Sequence, residues 1–196
     1  MRGPVLQPLP GMPPRAASGI DRIPAAAWAA LLGDAAAVRR YRELTWPAAG
    51  HLWWTGALDS SGHGSLTAHG RQFSAHAFGY QLAHGLVLPA AGILPVIRHS
   101  CDNASCQDPA HLAPGSAADN AADYSARRWR ADSPLADSRG ARGRAVAVRA
   151  AIAAMRRSGL AADAAVAAAL CAGQPRQLIL PGMAPGPGTA NVFAQR

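Results

Sequence analysis

One stretch constrains this chain more than any other: His99-Ser100-Cys101-Asp102-Asn103-Ala104-Ser105-Cys106-Gln107-Asp108-Pro109-Ala110-His111-Leu112. Cys101, Cys106 and His111 are separated by four residues each. A looped backbone with that spacing can bring two thiolates and an imidazole onto one tetrahedral ion, which points to structural zinc. A fourth donor must come from another part of the chain. All seven histidines lie between positions 51 and 111. His51, beside the Trp53-Trp54 strand, is the first choice to close the site, ahead of His63, His69, His76 and His84.

A bound metal would meet a real need. Alanine inflates the 49% hydrophobic content, and the 196 residues contain three Phe and three Tyr. A core so thin in large apolar groups gains from structural zinc, which contributes roughly 10 kcal/mol or more to a small domain.

The formal charge is +8, and all 19 basic residues are arginine. GC-rich coding explains the choice of arginine over lysine, but not where the charge sits. Nine arginines fall between Arg127 and Arg157, against Asp132 and Asp137. Such a block suits a polyanion, because bound arginine releases the counterions condensed on DNA. Arg127, Arg128, Arg130, Arg142 and Arg144 are therefore the candidate contacts to double-stranded DNA.

The cysteine pattern, two thiols beside two histidines, differs from a secreted disulfide framework and favours a reducing compartment. Prolines break the first ten residues too often for a signal-peptide core. No uninterrupted apolar run reaches membrane length. The expectation is a cytoplasmic protein with no membrane contact.

Along the chain, residues 1–23 read as a disordered leader and 24–45 as a helix interrupted near Gly33. Thr45-Trp46-Pro47 should end that helix, and His51 to Leu58 should be a strand. His63–Thr67 and Arg71–Ser74 should pair after the Asp59-Ser60-Ser61-Gly62 turn. Ala75 to His84 has helical character, capped by Gly85, and Val96-Ile97-Arg98 is a short strand. Ser116 should cap a helix running to about Arg130, with Asp119 as its capping-box partner. Residues 131–173 read as an Arg-rich helical appendix: a loop over Ser138–Arg144, a helix over Ala145–Ser158 stopped by Gly159, and a second helix over Ala161–Ala172. Residues 174–196 read as a flexible Pro/Gly tail. The fold class expected is α+β, a small zinc-stapled core with flanking helices and disordered termini.

His99 precedes Cys101 by two residues, and a tetrahedral site filled by four other donors leaves it free. A neutral imidazole, with an unperturbed pKa near ~6.5, can take a proton from water. Asn120, one turn inside the following helix, offers a neutral oxygen suited to Mg²⁺. Together they define a hydrolytic site.

The stretch resembles the HNH, or His-Me finger, endonucleases, in their zinc-bound branch related to homing endonucleases. There a His-x-Cys-x4-Cys-x4-His-Leu loop is followed by an Asp-Asn or similar pair on a helix, as Asp119-Asn120 stand here. Upstream, His51-Leu52-Trp53-Trp54-Thr55-Gly56 is similar to the family's Cys-Trp-x-Trp-Thr-Gly opening, and Ala75-His76-Ala77-Phe78-Gly79-Tyr80 to its Ala-His-Arg-Leu-Ala-Tyr helix. The likeness covers about residues 50 to 130 and implies a ββα-metal nuclease domain over 46–130. It implies that His99 is the general base and that Asn120 holds one divalent ion, giving 5′-phosphate and 3′-hydroxyl ends. A nearby arginine would add charge stabilisation, Arg71 first and Arg98 second. Because one such site cuts one strand at a time, a homodimer is expected for cutting both.

Three positions depart from the family. His51 replaces a cysteine, Asp108 stands where an asparagine is expected, and Ala77 stands in place of an arginine. Beside the endonuclease, these departures sustain an alternative: a weakened nuclease fold that survives as a zinc-containing DNA-binding module. A purely structural zinc protein is the third reading.

Overall fold

A computed structural model of the chain describes residues 23–87 and 96–175, which form a mixed α+β fold. The leader up to residue 22, the prolines of the connector over 88–95 and the tail from 176 lie outside the described residues.

The chain enters through two helices rather than the single interrupted one expected. α1 spans Ala25–Gly33 and α2 spans Ala35–Glu43. Asp34 takes an extended conformation between them, and its side chain accepts from Ala36 N at 2.8 Å. An N-cap of this kind satisfies one of the orphan donors of a helix start, so α2 begins afresh. Trp28, Leu31, Ala37 and Tyr41 face inward, while Arg39, Arg40 and Arg42 are exposed.

β1 (Thr45–Ala48) and β2 (His51–Trp54) form an antiparallel hairpin, as do β3 (Ser65–Ala68) and β4 (Arg71–Ser74). Each is closed by two residues with positive φ, Ala49 (47°) with Gly50 (73°) and His69 (50°) with Gly70 (68°). Those conformations match the twist of the strands they join. Thr45-Trp46-Pro47 does more than end a helix. It is an edge strand, where proline's missing donor costs no ladder bond. The strand expected to reach Leu58 stops at Trp54, whose indole donates to the Ala57 carbonyl at 2.8 Å and turns the chain.

Successive strand residues point to opposite faces, and β2 uses this to serve two cores. Trp54, 0% exposed, packs with Tyr41, Phe73, Phe78, Ile97 and Leu112. Trp53, 1% exposed, packs with Val148 and Ile152 of α5 (Gly140–Ser158) and Val166 of α6 (Asp163–Cys171). A buried tryptophan removes ~150–250 Å² from water, or about 4–6 kcal/mol, so Trp28, Trp53 and Trp54 offset the scarcity of Phe and Tyr. The Arg-rich segment over 131–173 is therefore no appendage, since it shares a core with β2. Its expected loop over Ser138–Arg144 is also shorter, because α5 begins at Gly140. Arg144 and Ala145 are buried there, and burial favours a hydrogen-bonded helical backbone over a loop.

α3 spans Ala75–His84 and leads toward β5 (Val96–His99), which pairs antiparallel with β6 (Leu112–Gly115). α4 (Ala117–Arg127) follows directly. Its start is the expected capping box: Asp119 N donates to Ser116 Oγ at 3.1 Å and Ser116 N donates to Asp119 Oδ2 at 2.8 Å. α4 is held to this hairpin by an Arg98–Asp123 ion pair and by Arg127, which reaches Asp102 at 3.1 Å and the Ser100 carbonyl at 3.0 Å. Among the described residues, no helix is long and apolar enough to cross a membrane.

Candidate functional site

The loop between β5 and β6 returns to β2. Trp54 N donates to Ser105 O at 2.9 Å, Gln107 N donates to Leu52 O at 2.6 Å, and Trp53 bridges Cys106. With β1 on its other side, β2 is sandwiched, and His51 at its start is brought beside the loop thiols. Asp102 takes a left-handed conformation (φ 55°), one that aspartate tolerates better than most residues, and so turns the backbone just after Cys101. His111 closes a short 3₁₀ turn, Pro109–His111, whose cap is Asp108 accepting from Ala110 N at 3.0 Å.

His51, Cys101, Cys106 and His111 consequently converge, with all four donor atoms within 4.8 Å of one another. Cys106 Sγ lies 3.6 Å from His51 Nδ1 and 3.5 Å from His111 Nδ1. Ligands ~2.0–2.3 Å from a tetrahedral ion lie roughly 3.3–3.8 Å from each other, so these two edges match those of a bound cation. The thiols also interact with each other. The hydrogen bond from Cys106 pulls the Cys101 thiol well below its ordinary range, and the same bond, with burial, pushes Cys106 up. These four residues could hold a metal ion. Of the weaker candidates, His69 is bonded to Asp34 at 2.8 Å and His84 stacks on Tyr80 at 4.5 Å.

His99 ends β5. Strand alternation directs Arg98 to α4 and His99 to α3, where it is buried. Its Nε2 lies 3.0 Å from the Cys106 carbonyl. A carbonyl can only accept, so Nε2 carries the proton and Nδ1 keeps its lone pair. Two further histidines surround it, His76 with its ring centroid at 4.8 Å and His63 at 5.6 Å. The His76 Nδ1 is buried without a hydrogen-bond partner, while His63 has Asp59 at 3.9 Å. Burial first, and His63 second, lower the His99 pKa to about 4. Burial, with His99 and His63, also lowers His76 well below its ordinary value, and burial lowers His63 against the pull of Asp59. The three rings therefore stand together as neutral bases. Sequence spacing gave no sign of this trio, because His63 and His76 come from the β2–β3 connection and from α3.

Asn120 is exposed on α4, one turn before Asp123. Among the described residues no hydrogen bond or ring contact joins it to His99. Arg98, the second arginine candidate, is committed to Asp123. Arg71 is exposed next to the β3–β4 turn. At ~3.3 Å per residue it sits about 10 Å from the Ser74 end of β4, where the helix carrying His76 begins. Asp108, departing from the family's asparagine, caps the His111 turn and leaves the His99 ring to the Cys106 carbonyl.

One of the five DNA-contact candidates is corrected. Arg144 is 6% exposed. Its Nε donates to Asn103 Oδ1 at 2.8 Å and its Nη1 lies 3.1 Å from Asp137, so its charge is spent inside the protein. Arg142 is exposed but donates to the Leu58 carbonyl at 3.2 Å and also to that of Asp59. Arg127 serves the α4 junction, and Arg130 pairs with Asp132 at 2.8 Å. Arg128 stacks on Tyr124 and Trp129 and has no carboxylate partner among the described residues.

No family model matches the chain, and no solved structure matches it. It is similar to "Protein 7.7" of Escherichia phage T7, with 36% identity over 70 residues, which is 36% of this chain. The matched stretch spans 51%, about half, of the phage protein's length.

Proposed function

We propose that this protein is a metal-dependent DNA endonuclease of the HNH, His-Me finger type, with a structural zinc ion and a catalytic Mg²⁺. The observation that carries the reading is the double use of Cys106. Its thiol belongs to the four-donor cluster, and its carbonyl holds the His99 imidazole with Nδ1 free. Stapling the loop thereby orients a base at the end of β5.

The two-thiolate, two-imidazole set suits zinc, which prefers sulfur and nitrogen in a closed tetrahedron. It would be His51, Cys101, Cys106 and His111 that hold it, joining β2 to the β5–β6 loop. The β5–β6 hairpin followed by α4 supports a ββα-metal arrangement, with Asn120 offering an oxygen on the helix. Mg²⁺, when bound there, would supply charge stabilisation to the phosphate and the departing 3′ oxygen. His99 would accept the proton of the attacking water at Nδ1, leaving 5′-phosphate and 3′-hydroxyl ends. One chain would cut one strand, and two copies would cut both.

A specific observation favours a second reading, the DNA-binding module that has lost turnover. Arg98 and His99 leave β5 in opposite directions, and it is Arg98 that reaches α4, the helix that carries Asn120. Supercoiled-plasmid nicking with Mg²⁺, measured for the wild type, His99→Ala and Asn120→Ala alongside zinc content, tests both. Nicking by the wild type alone, with zinc in all three, supports the enzyme. Salt-dependent DNA binding without nicking supports the module, and absence of zinc defeats both.

A further inference from the structure

α4 carries two adjacent rows of side chains. Asp123 and Arg127 face the hairpin and are tied to Arg98, Asp102 and Ser100. Asn120, Tyr124 and Arg128 recur every four residues and form a second, exposed stripe. Trp129 follows at its end, 81% exposed, with Tyr124 50% exposed. The Arg128 guanidinium lies over both rings, 4.6 Å from the Trp129 centroid and 5.6 Å from that of Tyr124. The other four tryptophans are buried or half-buried. A tryptophan left in water forgoes the burial energy its neighbours use, and a rigid aromatic with an unpaired guanidinium suits a partner that is both flat and anionic.

We propose that Tyr124, Arg128 and Trp129 form a stacking platform for unpaired nucleotides of the bound nucleic acid. The proposal rests on the nuclease reading and names how its substrate is held. Charge complementarity selects the occupant: the chain carries +8 overall, and Arg128 on this face has no carboxylate to neutralise it. A base stacks on the indole while its phosphate meets the guanidinium. At 1.5 Å per residue, Trp129 lies about 13 Å along the helix from Asn120, roughly four stacked nucleotides from the phosphate assigned to that residue. The platform therefore reads no sequence. It holds a flanking strand unstacked and in place, and it favours frayed, kinked or single-stranded sites over regular duplex.

The test is a fluorescence titration of the full chain with oligothymidylate about 12 nucleotides long, without added divalent ions so that no cleavage occurs. The wild type should lose the emission of its exposed tryptophan on binding. Trp129→Ala should show no such quenching and bind on the order of tenfold more weakly, with unchanged zinc content and circular dichroism, while Trp129→Phe keeps most of the affinity. The deficit should persist across salt concentrations, since stacking releases no counterions. Equal binding by wild type and Trp129→Ala, or binding without quenching, overturns the platform. Self-association of the wild type that Trp129→Ala abolishes in the absence of DNA overturns it in favour of a protein interface. Plasmid nicking is scored separately: nicking without an effect of Trp129 removes the platform alone, and neither nicking nor DNA binding removes the nuclease reading as well.

Discussion

The carbonyl oxygen of Cys106 lies 3.0 Å from Nε2 of His99, while the thiol of the same residue sits 3.5 Å from His111 Nδ1 and 3.6 Å from His51 Nδ1. One residue thus connects the four-donor cluster to the candidate base through its own backbone. A change in the geometry of the cluster is transmitted to the imidazole through the four covalent bonds from Sγ to the carbonyl oxygen and one hydrogen bond.

Two substitutions separate these roles. His99→Ala should lower nicking by about 10²- to 10⁴-fold, the range of a lost general base, with zinc retained and the fold intact. Cys106→Ser should lose zinc and nicking together. Zinc content by metal analysis beside a nicking time course distinguishes the two; equal zinc loss in His99→Ala would show that His99 serves the cluster instead.

Removal of the metal should loosen the junction between β2 and the β5–β6 loop. Trp53 is buried there, with its ring 4.8 Å from His51. Chelation, or Cys101→Ser, should redden the tryptophan emission and lower the melting temperature, because binding free energy at such sites is folding free energy. Cys171 is exposed and outside the cluster, so Cys171→Ser should leave both measurements unchanged.

Arg144 ties the β5–β6 loop to the C-terminal helices. It bonds Asn103, whose own Nδ2 donates to the Cys101 carbonyl at 3.1 Å, and it pairs with Asp137. Arg144→Met leaves Asp137 paired with Arg139 but strips the buried bonds to Asn103 and to the second side of the carboxylate, and should cost about 2–3 kcal/mol in denaturant unfolding. Arg128→Ala, on the surface, should cost no more than about 0.5 kcal/mol. Similar costs for the two would show that the Arg144 network contributes little.

Acid should expose the other end of that network. Burial raises the Asp137 carboxyl, but the hydrogen bonds from Arg139 and Arg144 outweigh it and hold the pKa at about 2. The unfolded value is near ~3.9. A carboxyl depressed in the folded state contributes stability that is present above the unfolded value and lost as pH falls through the folded one. The stability gap between wild type and Asp137→Asn should therefore be constant above about pH 5 and shrink by roughly 2 kcal/mol between pH 4 and 2. A gap independent of pH over that window would refute the assignment.

Much of the local structure was legible in short spacings. The Ser116–Asp119 capping box, the Gly159 stop, the β3–β4 hairpin and α3 follow from residues within four or five positions of each other, where chain connectivity limits the geometry. The break at Asp34 was only half visible, because a short helix and its successor share one composition. β1 was missed because Trp46-Pro47 reads as a terminator until β2 is present to pair with it.

The same division runs through the site. The sequence by itself determined that Cys101, Cys106 and His111 would converge, since four-residue spacers in a loop leave few other arrangements, and it singled out His99 and His51 as the residues to watch. Tertiary structure decided the rest. It set β2 against the β5–β6 loop so that His51 completes the donors, gathered His63 and His76 around His99, and turned Arg98 toward α4. It also withdrew Arg144 from the surface. Each of those outcomes depends on packing between elements far apart in the chain, which no local spacing encodes: a strand's two faces are equivalent until neighbouring elements cover them.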